Sequence, residues 1–104
     1  MKPIMENVTF GKALEMLKRG SRVTRSGWNG KGQWVVRMPE LQLPPYSTQD
    51  TNRKVNDRTA KWIGEDAPLN CRPYYVLFNN QGEWQPGWLP SQGDLEANDW
   101  IILD

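Results

Sequence analysis

The clearest periodic signal in this chain is a short apolar stripe. Phe10, Ala13, Leu14 and Leu17 recur at i, i+3, i+4 and i+7, the spacing of one face of a helix. Thr9 can accept a backbone hydrogen bond as N-cap and Gly20 can take the left-handed stop, which predicts a helix over Phe10 to Arg19. Lys18 and Arg19 fall in its last turn, where the helix dipole favours positive charge. One stripe means one face to bury. The four apolar residues are therefore expected to lie on a sheet, with Lys12, Glu15 and Arg19 in water.

After Gly20 the period changes. Val23 between Arg22 and Thr24 suits a half-buried strand around Ser21 to Ser26, and Gln33 to Met38, with Trp34, Val35 and Val36, reads as a second. Gly27 to Gly32 turns between them. Tyr74 to Phe78 is a third strand, Asn80-Gln81-Gly82 supplies hairpin chemistry, and Glu83 to Gln85 leads back as its partner. Trp100 to Leu103 forms the last. The expected class is α+β, with one N-terminal helix packed on a mostly antiparallel sheet of short strands.

Between Met38 and Cys71 the chain reads differently. Pro39, Pro44 and Pro45 interrupt pairing, and Ser47 to Asp57 is almost entirely polar. The expectation is a single small ligand-binding domain over residues 1–104 with a long irregular excursion at about 39–70. Thr59 to Gly64 can form a short helical turn with Trp62 and Ile63 as its apolar anchors, so the excursion reads either as a surface loop pinned by Trp62 or as a lid over a ligand. A domain of this length buries only about two-thirds of its unfolded surface, which makes a subunit interface a natural further source of stability.

Several chemistries are excluded by composition. Thirteen basic against twelve acidic residues leave a net charge of +1, which gives no global attraction for DNA, RNA or a membrane surface. Histidine is absent and Cys71 is the one cysteine, so neither a zinc site nor a His-based nucleophile can be assembled, and no intramolecular disulfide can form. No catalytic residue, metal or cofactor is assigned. The opening Met1-Lys2-Pro3-Ile4-Met5-Glu6 has no long apolar core and no segment is apolar enough to span a bilayer. The chain is expected to be soluble, in a reducing cytoplasm.

Six tryptophans exceed what a core of this size requires, and two of them lie in glycine-flanked motifs. In Gly27-Trp28-Asn29-Gly30-Lys31-Gly32 the glycines can expose backbone N–H groups, Asn29 can donate and accept, and Lys31 can approach a phosphate. The same residues could instead build a hairpin turn with its tryptophan packed inward. The P-loop spacing is absent. In Gly87-Trp88-Leu89-Pro90-Ser91-Gln92, followed by Asp94, an indole face sits beside a hydroxyl, an amide and a carboxylate. A carboxylate can bridge ribose hydroxyls, an amide can read a base edge and an indole can stack on a purine, a set that suits a nucleotide. The alternative is a Ser/Asp-capped turn entering a short helix at Leu95 to Asn98. Trp100, beside Ile101 and Ile102, reads as core. Trp34 and Trp84, on their strands, read as packing or interface residues.

Thr9-Phe10-Gly11-Lys12-Ala13-Leu14, Gly27 to Gly32, Arg72-Pro73-Tyr74, Trp88-Leu89-Pro90-Ser91-Gln92-Gly93-Asp94-Leu95 and Asp99-Trp100, taken in this order, resemble the Thoeris anti-defence 2 family from Thr9 to Leu103. The resemblance implies a phage-encoded homotetramer, acting in the cytoplasm of the infected bacterium. Such a protein would sequester glycocyclic ADP-ribose, a cyclic ADP-ribose isomer made by a TIR-domain enzyme, without hydrolysing it. It also implies possible cyclic oligonucleotide binding at a separate site. On this footing Trp28 and Trp88 supply aromatic contact, and Asn29, Ser91, Gln92 and Asp94 bond ribose or base. Lys31 with the Gly30 and Gly32 amides meets phosphate, and Tyr74 lines the wall. Arg72 either joins that wall or pairs internally with an acidic residue. The competing functions are a protein-interaction module or direct inhibitor of a host defence enzyme, and a nucleotide-cleaving enzyme using Asp94 and Asp99.

Overall fold

The computed structural model describes residues 3–104. Met1 and Lys2, which open the segment read above for a leader, lie outside the described residues. The chain forms two compact units, one running to Met38 and resuming from Tyr74 to Asp104, the other spanning Pro39–Pro73.

The first unit carries a six-stranded sheet and two helices. In chain order these are β1 (Met5–Val8), α1 (Phe10–Lys18), β2 (Val23–Arg25), β3 (Trp34–Met38), β6 (Tyr74–Phe78), β7 (Trp84–Pro86), α3 (Gln92–Glu96) and β8 (Trp100–Ile102). The numbers β4, β5 and α2 belong to the second unit: Leu41–Leu43, Leu69–Cys71 and Asp57–Ile63. The sheet order is β1-β8-β2-β3-β6-β7, and every neighbouring pair is antiparallel. The expected class, α+β with a mostly antiparallel sheet of short strands and a helix near the N-terminus, is what the chain adopts.

Local chemistry explains α1. The Thr9 side chain accepts from the Lys12 amide at 3.2 Å, and Gly20 takes a positive φ of 97° just past the C-cap Arg19, a conformation glycine reaches without Cβ strain. Ala13 and Leu17 are fully buried, while Phe10 packs half-buried at the rim of the same core with Val23, Val35, Trp100 and Ile102. Glu15 is ion-paired to both Lys12 and Arg19 on the outer face.

The strand β8 decides how the site is assembled. It pairs with β1 through Met5↔Ile102 and Val8↔Trp100, and with β2 through Val23↔Ile102, Thr24↔Ile101 and Arg25↔Trp100. The segment just before Trp100 is thereby brought beside the turn that follows Arg25. On the other side, β3 and β6 pair over five residues, from Trp34↔Phe78 to Met38↔Tyr74.

Three expectations need correction. The strand β1 has no counterpart in the sequence reading, because Asn7 at φ 56° and a register shift between Met5 and Val8 break the alternation that marks a strand. The short helix expected at Leu95 to Asn98 begins earlier, at Gln92, because Ser91 is its cap. The excursion is not simply irregular, since β4 and β5 pair through Leu41↔Cys71, Gln42↔Asn70 and Leu43↔Leu69.

Within this second unit α2 is capped by Asn56, whose side chain accepts from the Thr59 amide at 2.8 Å. The residues that anchor the unit are Val55 and Ala60, both buried. Trp62, expected to pin the excursion, is 76% exposed, and Ile63 is exposed too. On a helix this short only one narrow face can be covered, and Ala60 holds it.

Candidate functional site

The turn between β2 and β3 is fastened by a carboxylate from the far end of the chain. The Gly27 amide donates to Asp99 Oδ2 at 2.8 Å and the Ser26 hydroxyl donates to the same oxygen at 3.3 Å. A Cβ on Gly27 would stand 2.6 Å from that oxygen, so only glycine lets the backbone approach so closely. Gly32, at φ 81°, closes the turn.

Asp94 is the second fastening point. Its Oδ1 accepts from Trp28 Nε1 at 2.9 Å and from Arg25 Nη1 at 2.7 Å. Its Oδ2 accepts from the Ser91 amide at 2.9 Å, while the Ser91 hydroxyl accepts from the Asp94 amide at 3.0 Å. These last two bonds form a capping box at the start of α3. The Asp94 carbonyl also accepts from Trp100 Nε1 at 2.9 Å. One residue, 7% exposed, thus holds two indoles, a helix cap and an arginine.

The three tryptophans meet edge to face. Trp28 and Trp88 lie 5.5 Å and 6.3 Å from Trp100 at 78° and 83°, and 6.4 Å from each other, the geometry that ring quadrupoles favour. Trp88 reaches the cluster because the amides of Gly87 and Trp88 both donate to the Tyr75 carbonyl, at 2.9 and 3.0 Å.

Beside the cluster is a concavity of about 200 Å³ lined by Trp28, Asn29, Gly30, Gln33, Leu77, Trp88 and Asp94. Trp28, Asn29, Gly30, Trp88 and Asp94, named from the sequence, meet there. Lys31 and Gly32 are at the exposed turn tip, with Lys31 Nζ donating to the Ser26 carbonyl at 3.3 Å. Ser91 is occupied as helix cap and Gln92 is exposed at the first position of α3. Tyr74 is exposed at the start of β6. None of these five lines the concavity. Arg72 is exposed and, among the described residues, forms no ion pair. A second concavity, of about 250 Å³, is almost wholly apolar, lined by Phe10, Leu14, Leu17, Tyr75, Trp88, Leu89 and Pro90, so Trp88 borders both. A larger one in the second unit, about 350 Å³ among Tyr46, Asp57, Ala60, Lys61 and Glu65, gathers none of the residues named from the sequence.

Arg25, Gln33 and Leu77 were missed. For Arg25 a signal existed: an arginine closing the short strand Val23-Thr24-Arg25 faces a core neighbourhood and needs a carboxylate partner. It has two, with Nε donating to Asp99 Oδ1 at 2.8 Å and Nη1 to Asp94. Gln33, whose Nε2 donates to the Gly30 carbonyl at 3.2 Å, could not be told from a generic turn residue.

The electrostatics follow from these bonds. Hydrogen bonds to Asp99 and then Asp94 hold the Arg25 guanidinium charged, above its ordinary value. Burial pushes the Asp94 carboxyl up, but the bonds from Trp28, Ser91 and Arg25 outweigh it and the net shift is down. The Arg25 bond lowers Asp99, and the Arg22 bonds lower Asp104. Both Asp94 and Asp99 are therefore ionised near neutrality and share one cation, so the pair does not offer one acid and one base. Among the described residues no group of three His, Cys, Asp or Glu is placed to hold a metal ion, and no helix is long and apolar enough to cross a membrane.

These shifts predict an acid limit to stability. Each carboxyl has a folded-state pKa below its ordinary value near 3.8, so protons favour the unfolded chain. Their contribution is complete above that value and is lost as pH falls through the lower folded values. The melting temperature should change little from about pH 7 to 5 and fall steeply below about pH 4, and Asp99→Asn should flatten the fall. Equal slopes in the two proteins, measured by calorimetry across this range, would contradict the assignment.

The Thoeris anti-defense 2-like domain profile matches residues 8–103. A protein of Bacillus phage SP01 described as Thoeris anti-defense 2 is 31% identical over 96 residues, spanning 92% of this chain and 94% of its own. Both tryptophan motifs and both carboxylates that fasten them lie within the matched span.

Proposed function

Because this chain belongs to the Thoeris anti-defense 2-like family, we propose that it is a phage anti-defence protein that binds and sequesters a TIR-generated cyclic nucleotide, glycocyclic ADP-ribose, without degrading it. It acts in the cytoplasm of the infected bacterium and deprives the downstream effector of its activator. The observation that carries this reading is the convergence of two motifs, distant in sequence, on one concavity lined by both indoles together with Asn29, Gly30 and Asp94. That combination of flat apolar faces and a few fixed polar groups is what a nucleotide needs.

In this reading Trp28 and Trp88 contact the base or sugar faces. Asn29 and Gln92 bond the base or ribose, Ser91 contributes what its capping role leaves free, and Asp94 offers the remaining acceptor position of Oδ2. Lys31, at the turn tip with the Gly30 and Gly32 amides, takes a phosphate that projects beyond the concavity, and Tyr74, which does not line it in one copy, adds a wall from a neighbouring subunit. Magnitudes bear on how much one copy can do. An effective sponge needs nanomolar affinity, about −12 kcal/mol, and two stacked rings supply about 1–3 kcal/mol each. A concavity near 200 Å³ is also smaller than the roughly 300–1,000 Å³ of typical ligand sites. Both shortfalls favour a site completed by neighbouring subunits, and in this proposal the family resemblance makes that assembly a homotetramer.

The test is to incubate the protein with glycocyclic ADP-ribose, denature it, and analyse what is released. Recovery of intact ligand in stoichiometric amount is expected, and steady product formation would rule sequestration out. A second reading, a protein-interaction module or direct inhibitor of a host defence enzyme, has its own observation: Trp62 is 76% and Trp84 46% exposed, and tryptophan is among the residues that interfaces use as anchors. Calorimetry showing no binding of cyclic ADP-ribose isomers, with capture of a host enzyme, would favour it.

A further inference from the structure

Arg25 does not line the concavity, yet its side chain is only 18% exposed and its donors are directed at two carboxylates. Nη1 lies 2.7 Å from Asp94 Oδ1, Nε 2.8 Å from Asp99 Oδ1, and Nη2 3.5 Å from Asp99 Oδ2. Asp94 Oδ1 is the oxygen on which Trp28 Nε1 rests, and Asp99 Oδ2 is the oxygen that holds the Gly27 amide. The guanidinium therefore fixes both acceptors that set the backbone and the ring of Trp28. We propose that Arg25 is a positioning residue for Trp28, orienting the ligand-facing indole by immobilising the carboxylates that hold it, without touching the ligand. The proposal rests on the nucleotide-binding reading of the same concavity.

The side-chain type matters. Arginine presents a planar fork whose separate N–H groups can serve two carboxylates at once, whereas a lysine ammonium is a point charge on a flexible stem and cannot hold the same spread. If Arg25 acted only by its charge, or bound a phosphate directly, lysine would substitute adequately. If it acts as a bridge, lysine leaves one carboxylate loose and the indole with it, and a ring that must be ordered on binding binds more weakly.

The experiment uses the whole protein and two readouts. In ligand-free protein labelled with nitrogen-15, the Trp28 indole resonance, identified by its loss in Trp28→Phe, reports hydrogen exchange at Nε1. In Arg25→Lys that exchange should quicken by about tenfold. Trp100 Nε1, which donates to the Asp94 carbonyl, should keep its protection. In calorimetry with glycocyclic ADP-ribose, Arg25→Lys should bind about tenfold more weakly. Unchanged Trp28 exchange in Arg25→Lys overturns the proposal. So does weaker binding with unchanged exchange, which would place Arg25 on the ligand. Should Arg25→Lys not fold, Asp94→Asn, which keeps an oxygen for the indole but loses its charge-assisted bond to Arg25, serves in the same exchange measurement. Wild-type protection in that variant also overturns it. If wild-type protein binds no nucleotide, the nucleotide reading falls, and the exchange readout still decides whether Arg25 positions the ring.

Discussion

Trp100→Ala should lower the unfolding free energy by about 3–5 kcal/mol, the range for deleting a large buried aromatic ring. The indole is 0% exposed and is contacted by Phe10 at 5.5 Å as well as by Trp28 and Trp88. Its Nε1–H also satisfies the Asp94 carbonyl. A small domain has about 5–15 kcal/mol in total, so this substitution removes a large share or leaves the chain unfolded. Urea denaturation should show the midpoint displaced with little change in slope. A loss below about 1 kcal/mol would mean that the ring is not the floor of the cluster. Trp100→Phe, which keeps a ring but not the N–H, should fall between.

Trp28→Ala should weaken binding of glycocyclic ADP-ribose about a hundredfold, while costing less stability than Trp100→Ala because Trp28 is only half-buried. Stacking accounts for about 1–3 kcal/mol, and a hundredfold corresponds to about 2.7 kcal/mol. Trp88→Ala should behave similarly, since Trp88 lines the same concavity. Trp28→Phe separates the two functions of the residue, keeping a stacking face while removing the N–H donated to Asp94. Isothermal titration of each folded variant is the measurement. If Trp28→Ala and Trp88→Ala both bind as tightly as wild type, the site assignment fails even though the family is right.

What could be read from the sequence was set by how local each signal is. The helix α1 was legible because its stripe, cap and stop lie within a dozen positions, and β6 with its hairpin because Asn80-Gln81-Gly82 carries turn chemistry, although the side chain that bonds the turn is that of Asn79. The strand β1 was hidden by a single residue in the left-handed region, and β4 and β5 were hidden because three-residue strands that pair across the polar stretch between them leave no periodicity. The site divided in the same way. Trp28 and Trp88 could be named from their glycine-flanked motifs, and of the two readings of Asp94, ligand group and Ser/Asp-capped turn, the cap is present, with further bonds to Trp28 and Arg25 taking most of the carboxylate's capacity. No spacing rule places Arg25 against residues near the other end of the chain, and only the pairing of β2 with β8 does so.

The position of β8 also governs the order in which this protein can be made. As the last element in the chain it sits between β1 and β2, which are among the first. While a ribosome is extending the chain, those early strands have no partner strand between them, and Phe10, Val23 and Trp28 wait with their apolar surface uncovered. Sheet closure, the aromatic cluster and the fastening of the Gly27 turn all await β8, and all rest on contacts of long sequence separation, the kind that form slowly. During that interval the exposed strand edges and rings are open to chaperones or to other nascent copies.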